Sequence, residues 1–272
     1  MDRAVLTTGA NSGLGLAIVV ELAKRGYRSI GSVRTKAKAA EVAREAKESG
    51  VEIETILLDV KDADRCAEVI DDLELFGLVN NAGYSVTGAV EDTPDDEARD
   101  LLETMVVAPM RLARLALPGM RGRGEGRIVN ISSIYGRFTT PFTGWYQAAK
   151  HGLEGVTDAL RMEVAGMGVK VVLVEPGGFR TAIFDEVSGD LDRRGADTPY
   201  RRGYDRMLQT LKLSQPFLGD PQVVARVVAG AMSSRVPRAR YLVGNDAQAA
   251  ALTERFTPTF VKDLVTRRVM GL

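Results

Sequence analysis

Tyr146 and Lys150 stand four residues apart in the run GWYQAAKHGLEG, with Ser133 upstream in IVNISS. On a helix, residues i and i+4 share a face, so this spacing brings a phenol beside an ammonium. A phenol alone titrates near ~10 and is a poor acid–base group at neutral pH. A nearby positive charge favours the phenolate. At ~4 Å and an effective dielectric of ~20 the attraction is on the order of 4 kcal/mol, about three pKa units at most. That moves Tyr146 towards the working range of a general acid or base. Ser133 can hydrogen-bond a substrate oxygen and steady developing negative charge. The chemistry these groups suit is hydride transfer between a carbonyl and a secondary alcohol. His151 follows the lysine, sits about 100° round the helix from it, and is read as a packing or surface residue. Ser132 alternates with Ser133 along a strand and should face the other way.

Hydride transfer needs a dinucleotide, and TGANSGLG (8–15) supplies a place for one. Gly9, Gly13 and Gly15 allow a tight turn and close backbone approach to a pyrophosphate, with Asn11, Ser12 and Leu14 on the same turn. The helix that follows presents its positive end. Asp59 and Val60 close a strand where a carboxylate can meet an adenine amino group; Asp59 can equally cap the next helix. Asn81, Ala82 and Gly83 follow another strand and leave room for the cofactor. Arg34 ends the second strand, with Lys36 and Lys38 close by and Ser12 opposite. A guanidinium there suits a 2′-phosphate and selects NADP(H). Pro176 and Gly177 should turn the backbone against the nicotinamide, with Phe179 and Thr181 on its amide side.

The elements that position these residues alternate. Strands are predicted at 3–8, 29–34, 51–58, 75–80, 126–132, 169–175 and 240–243. Helices are predicted at 14–25, 36–49, 63–73, 95–120, 145–167, 221–234 and 246–270. Residues 181–216 look irregular and charged. Alternation of this kind implies an α/β fold, a doubly wound parallel sheet with helices on both faces. No linker or repeat divides the chain, so one domain over 1–272 is the simplest organisation.

The bulk properties exclude several classes. Formal net charge is +0, which argues against a nucleic-acid-binding body. No apolar run approaches the ~18 residues of a membrane span. The lone Cys66 cannot form an intrachain disulfide and is read as an apolar filler. No cluster of His, Cys and acids suggests a metal site. With a strand almost at the N-terminus, the expected location is cytoplasmic.

Taken together, TGANSGLG, Asp59-Val60, NNAG (80–83), Ser133, YQAAK (146–150) and PGGFRT (176–181) resemble the short-chain dehydrogenase/reductase family. The run ARYLVGNDA (239–247) is similar to the branch containing 17β-hydroxysteroid and retinol dehydrogenases. The resemblance implies a Rossmann-like domain with about seven strands, commonly a homodimer or homotetramer. It implies that Tyr146 is the general acid/base and that Lys150 also holds the nicotinamide ribose. Many members carry an asparagine in the helix after NNAG that holds a water for proton relay. Met105 stands at that position here, and a thioether cannot take over the role. Pro109, one turn on, is expected to disturb the helix and free a carbonyl.

The substrate pocket is expected between 84–86, 134–145 and a lid at about 181–217. Phe138, Phe142, Trp145, Phe184, Tyr200 and Phe217 would line it for a bulky apolar ketone or alcohol. The charges of 185–206 suggest a mobile, solvated cover. A different class, a non-catalytic NADP(H)-binding regulator on the same fold, is kept open by Met105. A sugar-nucleotide epimerase or dehydratase is disfavoured by the G-x3-G-x-G spacing.

Overall fold

The computed structural model describes residues 3–181, 183–194 and 197–272. Its strands are β1 (Ala4–Thr7), β2 (Arg28–Val33), β3 (Glu54–Leu57), β4 (Leu75–Asn80), β5 (Gly126–Ile131), β6 (Val169–Pro176) and β7 (Arg240–Val243). They form one sheet in the order β3–β2–β1–β4–β5–β6–β7, with every neighbouring pair parallel. The order reverses at β1, which has β2 on one side and β4 on the other. Loops leave in opposite directions there and open a crevice at the carboxyl ends of the strands.

The helices are α1 (Gly13–Lys24), α2 (Lys36–Glu48), α3 (Ala63–Asp71), α4 (Asp95–Leu102), α5 (Ala108–Arg123) and α6 (Gly144–Glu163). They continue with α7 (Ile183–Arg193), α8 (Arg201–Ser214), α9 (Pro221–Ser233), α10 (Asn245–Phe256) and α11 (Thr259–Met270). Consecutive strand residues feed opposite cores, as the pleat requires. Leu6, Leu78, Ile128 and Val171 pack with Cys66 and Val69 of α3 and Leu112 and Met120 of α5. Val5, Val79, Val129 and Val172 pack with Ile18 and Leu22 of α1 and Val224 and Val228 of α9. Strands buried on both faces explain the near-continuous apolar runs of the sequence.

Four predicted elements differ, the last being the helix at 246–270, which is split into α10 and α11 at Thr257 and Pro258. The third strand is shorter than 51–58. The predicted helix 95–120 is interrupted by a π turn, Glu103–Val107, between α4 and α5. Residues 181–216 are not irregular: they hold α7 and α8. Their apolar residues Val187, Leu191, Tyr204 and Met207 cluster with Ala89 and Phe142.

Candidate active site

The turn after β1 is shaped by glycine where no other residue fits. Gly9 and Gly13 have φ of 66° and 52°, the left-handed region. A Cβ on Gly15 would lie 2.1 Å from the Gly9 carbonyl oxygen and 2.6 Å from Asn81 Nδ2. Asn81 Nδ2 donates to the Thr8 and Gly9 carbonyls at 2.9 and 3.1 Å. The Asn81 and Ala82 N–H groups both donate to Thr8 Oγ1 at 3.0 Å. The loop after β4 thus holds the turn after β1. Ser12 is the N-cap of α1, but its side chain makes no capping bond. The first N–H groups of α1 are therefore not served by that hydroxyl, as an anion site requires.

A cleft of about 760 Å³ runs along the carboxyl ends of β1 to β5. Gly9, Asn11, Ser12, Gly13, Leu14, Gly15, Arg34, Asp59, Val60, Asn81, Ala82, Gly83, Tyr146, Lys150 and Thr181 all line it. Lys38 lines it too, one turn into α2 from Arg34, whereas Lys36 does not. Asp59 does not cap α3: that role belongs to Asp62, which accepts from Arg65 N at 2.9 Å. Asp59 accepts from Lys61 N at 3.0 Å and stays on the cleft wall.

Three of the sequence-predicted contacts fall elsewhere. Pro176 and Gly177 do not line the cleft, and Phe179 is buried in the core between the sheet and α9. The cause is a tight backbone clamp. Gly177 N donates to Val243 O at 2.9 Å, and Gly178 N to Asp246 Oδ2 at 2.6 Å. Gly219 N donates to Gly178 O at 2.9 Å. The chain is pulled towards β7, and only Thr181 returns to the cleft, beside Gly13.

Tyr146 and Lys150 meet as their spacing requires, on the face of α6 turned to β5. Lys150 is buried and its Nζ donates to the Ile131 carbonyl at 2.8 Å. Its Nζ lies 5.6 Å from the centre of the Tyr146 ring. Tyr146 hydrogen-bonds Ser133, whose Oγ also accepts from Tyr135 N at 3.2 Å. Ser132 faces away, towards Gly136 and Glu154, and His151 is exposed. The expected lowering of the phenol by the lysine is not what this arrangement gives. Burial pushes Tyr146 up to about 12; the Ser133 bond opposes this, while Tyr135 and Glu186 add to it. Burial likewise lowers Lys150 to about 7. Desolvation outweighs pair attraction because the ammonium is turned onto a neutral carbonyl.

Met105 is buried against Gly83 and packs with Leu101 and Ala149. It lies inside the π turn, where Ala108 N donates to Glu103 O. Pro109 follows with no N–H, so the Thr104 carbonyl, next in that register, receives no bond from it. Farther back, Asn80 donates to Asn130 Oδ1 at 2.8 Å, and Asn130 to Thr157 Oγ1 at 2.8 Å. This buried amide chain fixes α6 against β4 and β5, and the sequence reading missed Asn130 and Thr157.

The lid departs most from expectation. Two of its charged side chains, Asp190 and Arg194, are buried and paired, while Arg193, Arg201 and Arg202 stay exposed. Arg194 donates to Thr87 O at 3.1 Å, Asp92 O at 2.8 Å and Glu97 at 2.6 Å. Asp190 accepts from Thr87 N at 2.8 Å, and Tyr204 Oη accepts from Ala89 N at 2.8 Å. None of the predicted aromatic residues with a described side chain lines the cleft. Phe142 is core, packed edge-to-face with Tyr204 and Tyr200. Phe138 lies against Tyr135, Trp145 packs in the Met105 cluster, and Phe217 is exposed. The Phe184 side chain lies outside the described residues. Instead α7 presents Glu186, Gly189, Asp190 and Arg193 to the cleft, opposite Tyr84, Ser85 and Thr104. No periodicity or motif singles out these α7 residues.

A parallel doubly wound sheet, a glycine turn at its switch point and a Ser–Tyr–Lys group beside it define a dinucleotide-binding oxidoreductase fold. Residues 3–192 match the family model for short chain dehydrogenases, and the chain belongs to that family. It is 30% identical over 264 residues to the uncharacterised oxidoreductase YusZ of Bacillus subtilis, covering 94% of each chain. It is 31% identical over 267 residues to human 17-beta-hydroxysteroid dehydrogenase type 1, covering 93% of this chain and 78% of that one. A short-chain dehydrogenase from Streptomyces avermitilis superposes with a TM-score of 0.79 at 31% identity, over 99% of this chain and 97% of that one. A variant of the actinorhodin polyketide ketoreductase, solved with NADPH, gives 0.77 at 29% identity over 89% and 95%. Among the described residues, no helix is long and apolar enough to cross a membrane.

Proposed function

We propose that the protein is an NADP(H)-dependent reductase or dehydrogenase that interconverts a carbonyl and a secondary alcohol on a bulky small-molecule substrate. The observation that carries this is the convergence of Tyr146, which hydrogen-bonds Ser133, and of Lys150 with the glycine turn on one cleft. The cradle fits a dinucleotide: Gly9, Gly13 and Gly15 line it without side chains, and Arg34 and Lys38 offer positive charge at its far end. The NADPH of the ketoreductase neighbour supports the same cofactor. A dinucleotide held there supplies the hydride.

The residues of the chain supply the rest. Ser133 accepts from Tyr135 N, so its hydroxyl proton is directed to Tyr146 or to a substrate oxygen. Tyr146 protonates the carbonyl oxygen in reduction and accepts that proton back in oxidation. As phenolate develops, the Lys150 ammonium stabilises it. The proton then returns to Tyr146 through Lys150, with the Thr104 carbonyl as the fixed acceptor for a relaying water. We read 1–272 as one domain that works as a homodimer or homotetramer, with 181–217 covering the substrate. The hydroxysteroid and retinol dehydrogenases among its relatives support a bulky substrate skeleton.

Tyr146→Phe is expected to lower kcat by about a hundred- to ten-thousandfold. The Kd for NADPH should stay within about threefold. A ketone panel followed by NADPH absorbance, with fluorescence titration of the cofactor, reads both. NADPH binding by the wild type without oxidation across the panel would favour the non-catalytic regulator.

A further inference from the structure

A buried ion-pair network outside the cleft has no part in the chemistry described so far. Glu175, at the carboxyl end of β6, is fully buried. A lone carboxylate there would be costly, and two guanidiniums hold it instead. Arg137 grips it with its fork, Nε donating to Oε2 and Nη2 to Oε1 at 3.0 Å. Arg240 of β7 donates from Nη1 to the same Oε1 at 2.8 Å. Arg240 also pairs with Glu154 and Asp158 of α6. Tyr146, Lys150, Glu154 and Asp158 follow one another every four residues on α6. The row that carries the chemistry at one end therefore carries this anchor at the other. Arg137 closes the turn that begins at Ser133. Gly136 N donates to Ser133 O at 2.9 Å, Arg137 N to Ile134 O at 3.0 Å, and Tyr135 N to Ser133 Oγ at 3.2 Å. These bonds make 133–137 one unit, with the Ser133 hydroxyl at one end and the Arg137 fork at the other. The unit also packs on α6, since the Tyr135 ring meets the Tyr146 ring edge-on at 6.1 Å between centres.

Resting on the proposed hydride-transfer reading, we infer that Arg137 is a positioning residue, whose paired bonds to Glu175 hold the Ser133 hydroxyl against Tyr146. Arg137 fixes the turn that carries Ser133. Arg240 fixes α6, which carries Tyr146. Glu175 takes both guanidiniums and so registers the turn to the helix. The planar fork matters because two parallel bonds set a direction, which the point charge of a lysine does not. None of the three residues lines the cleft. Their effect is on geometry, and a misplacement of about 1 Å at a reacting group costs on the order of a hundredfold in rate.

The test is a double-mutant cycle on ketone reduction with NADPH. Arg137 is partly exposed, and Glu175 keeps Arg240 as a partner when Arg137 is replaced. Arg137→Met should lower kcat by about ten- to a hundredfold. The Kd for NADPH should stay within about twofold, because the glycine turn is held by other loops. Arg137→Lys keeps the charge without the fork and should recover only part of kcat. It carries the same cycle if the methionine variant does not fold. Arg137 acts through Ser133, so Ser133→Ala combined with Arg137→Met should be no slower than Ser133→Ala alone, within about twofold. A purely structural role would multiply the two losses. Amide exchange of Tyr135, Gly136 and Arg137, read by mass spectrometry, should quicken by about tenfold or more in Arg137→Met. A kcat within about twofold of wild type, losses that multiply, full recovery by Arg137→Lys or unchanged exchange each overturns the inference. Unimpaired turnover by both Ser133→Ala and Tyr146→Phe would instead overturn the catalytic reading, and the exchange measurement would still decide whether the fork holds the turn.

Discussion

The glycine turn and helix α7 face each other across one cleft, and each carries a glycine on its wall. At Gly15 an added Cβ would meet the Gly9 carbonyl oxygen at 2.1 Å. At Gly189 it would meet nothing within 4 Å. The first wall is backbone packed on backbone, fixed by Asn81 and Thr8. The second is a helix whose side chains reach over to 85–97 through hydrogen bonds and ion pairs. A turn built from backbone accepts one ligand shape, such as a pyrophosphate. A wall built from side chains can be re-specified residue by residue, so substrate choice belongs there.

That contrast breaks most severely at Gly15. Gly15→Ala drives a methyl into a carbonyl and an amide that have no room to move. Overpacking of this kind costs about 1–3 kcal/mol or more. The clash lies where the dinucleotide would bind, so NADPH affinity should fall by at least about a hundredfold. Calorimetric titration and thermal melting check the two effects. Near-native NADPH binding would show that the turn is not the cofactor cradle.

Lys150 gives the next largest effect, read in the cofactor-free protein. Burial lowers its pKa to about 7, against ~10.4 in an unfolded chain. Between those values the unfolded chain binds more protons on this lysine, so stability rises with pH from about 7 to about 10. Below about 7 the lysine is charged in both states and the penalty is at its full, constant value. Tyr146 acts in the window above. Raised to about 12, it keeps its proton when folded and loses it near ~10 when unfolded, so stability falls as pH rises beyond about 10. Lys150→Met should remove the rise between about 7 and 9.5, worth on the order of 3 kcal/mol and several degrees in Tm. Parallel melting curves for both proteins across that range would sink the assignment.

Arg34 sharpens the comparison at the far end of the cradle. If its guanidinium and Lys38 hold a 2′-phosphate, Arg34→Ala should weaken NADPH about tenfold or more. NADH should change by less than about twofold. An unchanged ratio of the two dissociation constants would remove Arg34 from the cofactor reading.

How far the sequence could be read follows the same division. The sheet was legible because strands buried on both faces write long apolar runs, and helices between them impose parallel pairing. The shared face of Tyr146 and Lys150 was legible because their spacing on α6 sets it locally. Phe179 was not, because its direction depends on the Gly178–Asp246 bond across 68 residues. The sign of the Tyr146 shift was missed for a related reason: burial, not the neighbouring charge, dominates it. Residues 181–216 looked like a solvated cover because Arg194 and Asp190 read as surface charges. Their partners, Glu97 and Thr87, lie about a hundred positions earlier in the chain and leave no local trace. Glu186 carries no motif at all.

The smallest expected effect tests whether α7 is an ordinary helix wall. Gly189 lies inside α7, more than one turn from each end of Ile183–Arg193, and helical glycine costs about 0.5–1 kcal/mol relative to alanine through lost backbone freedom. A Cβ there meets no neighbour, so Gly189→Ala should stabilise the protein by up to that amount, a rise of about 1–3 °C in Tm. The methyl enters the cleft between Glu186 and Arg193, so KM for a bulky ketone should rise while the Kd for NADPH stays within about twofold. A combined loss of NADPH affinity would mean that α7 closes over the cofactor as well as the substrate. The two walls would then be one enclosure, and the separation between a fixed cradle and an adjustable side would not hold.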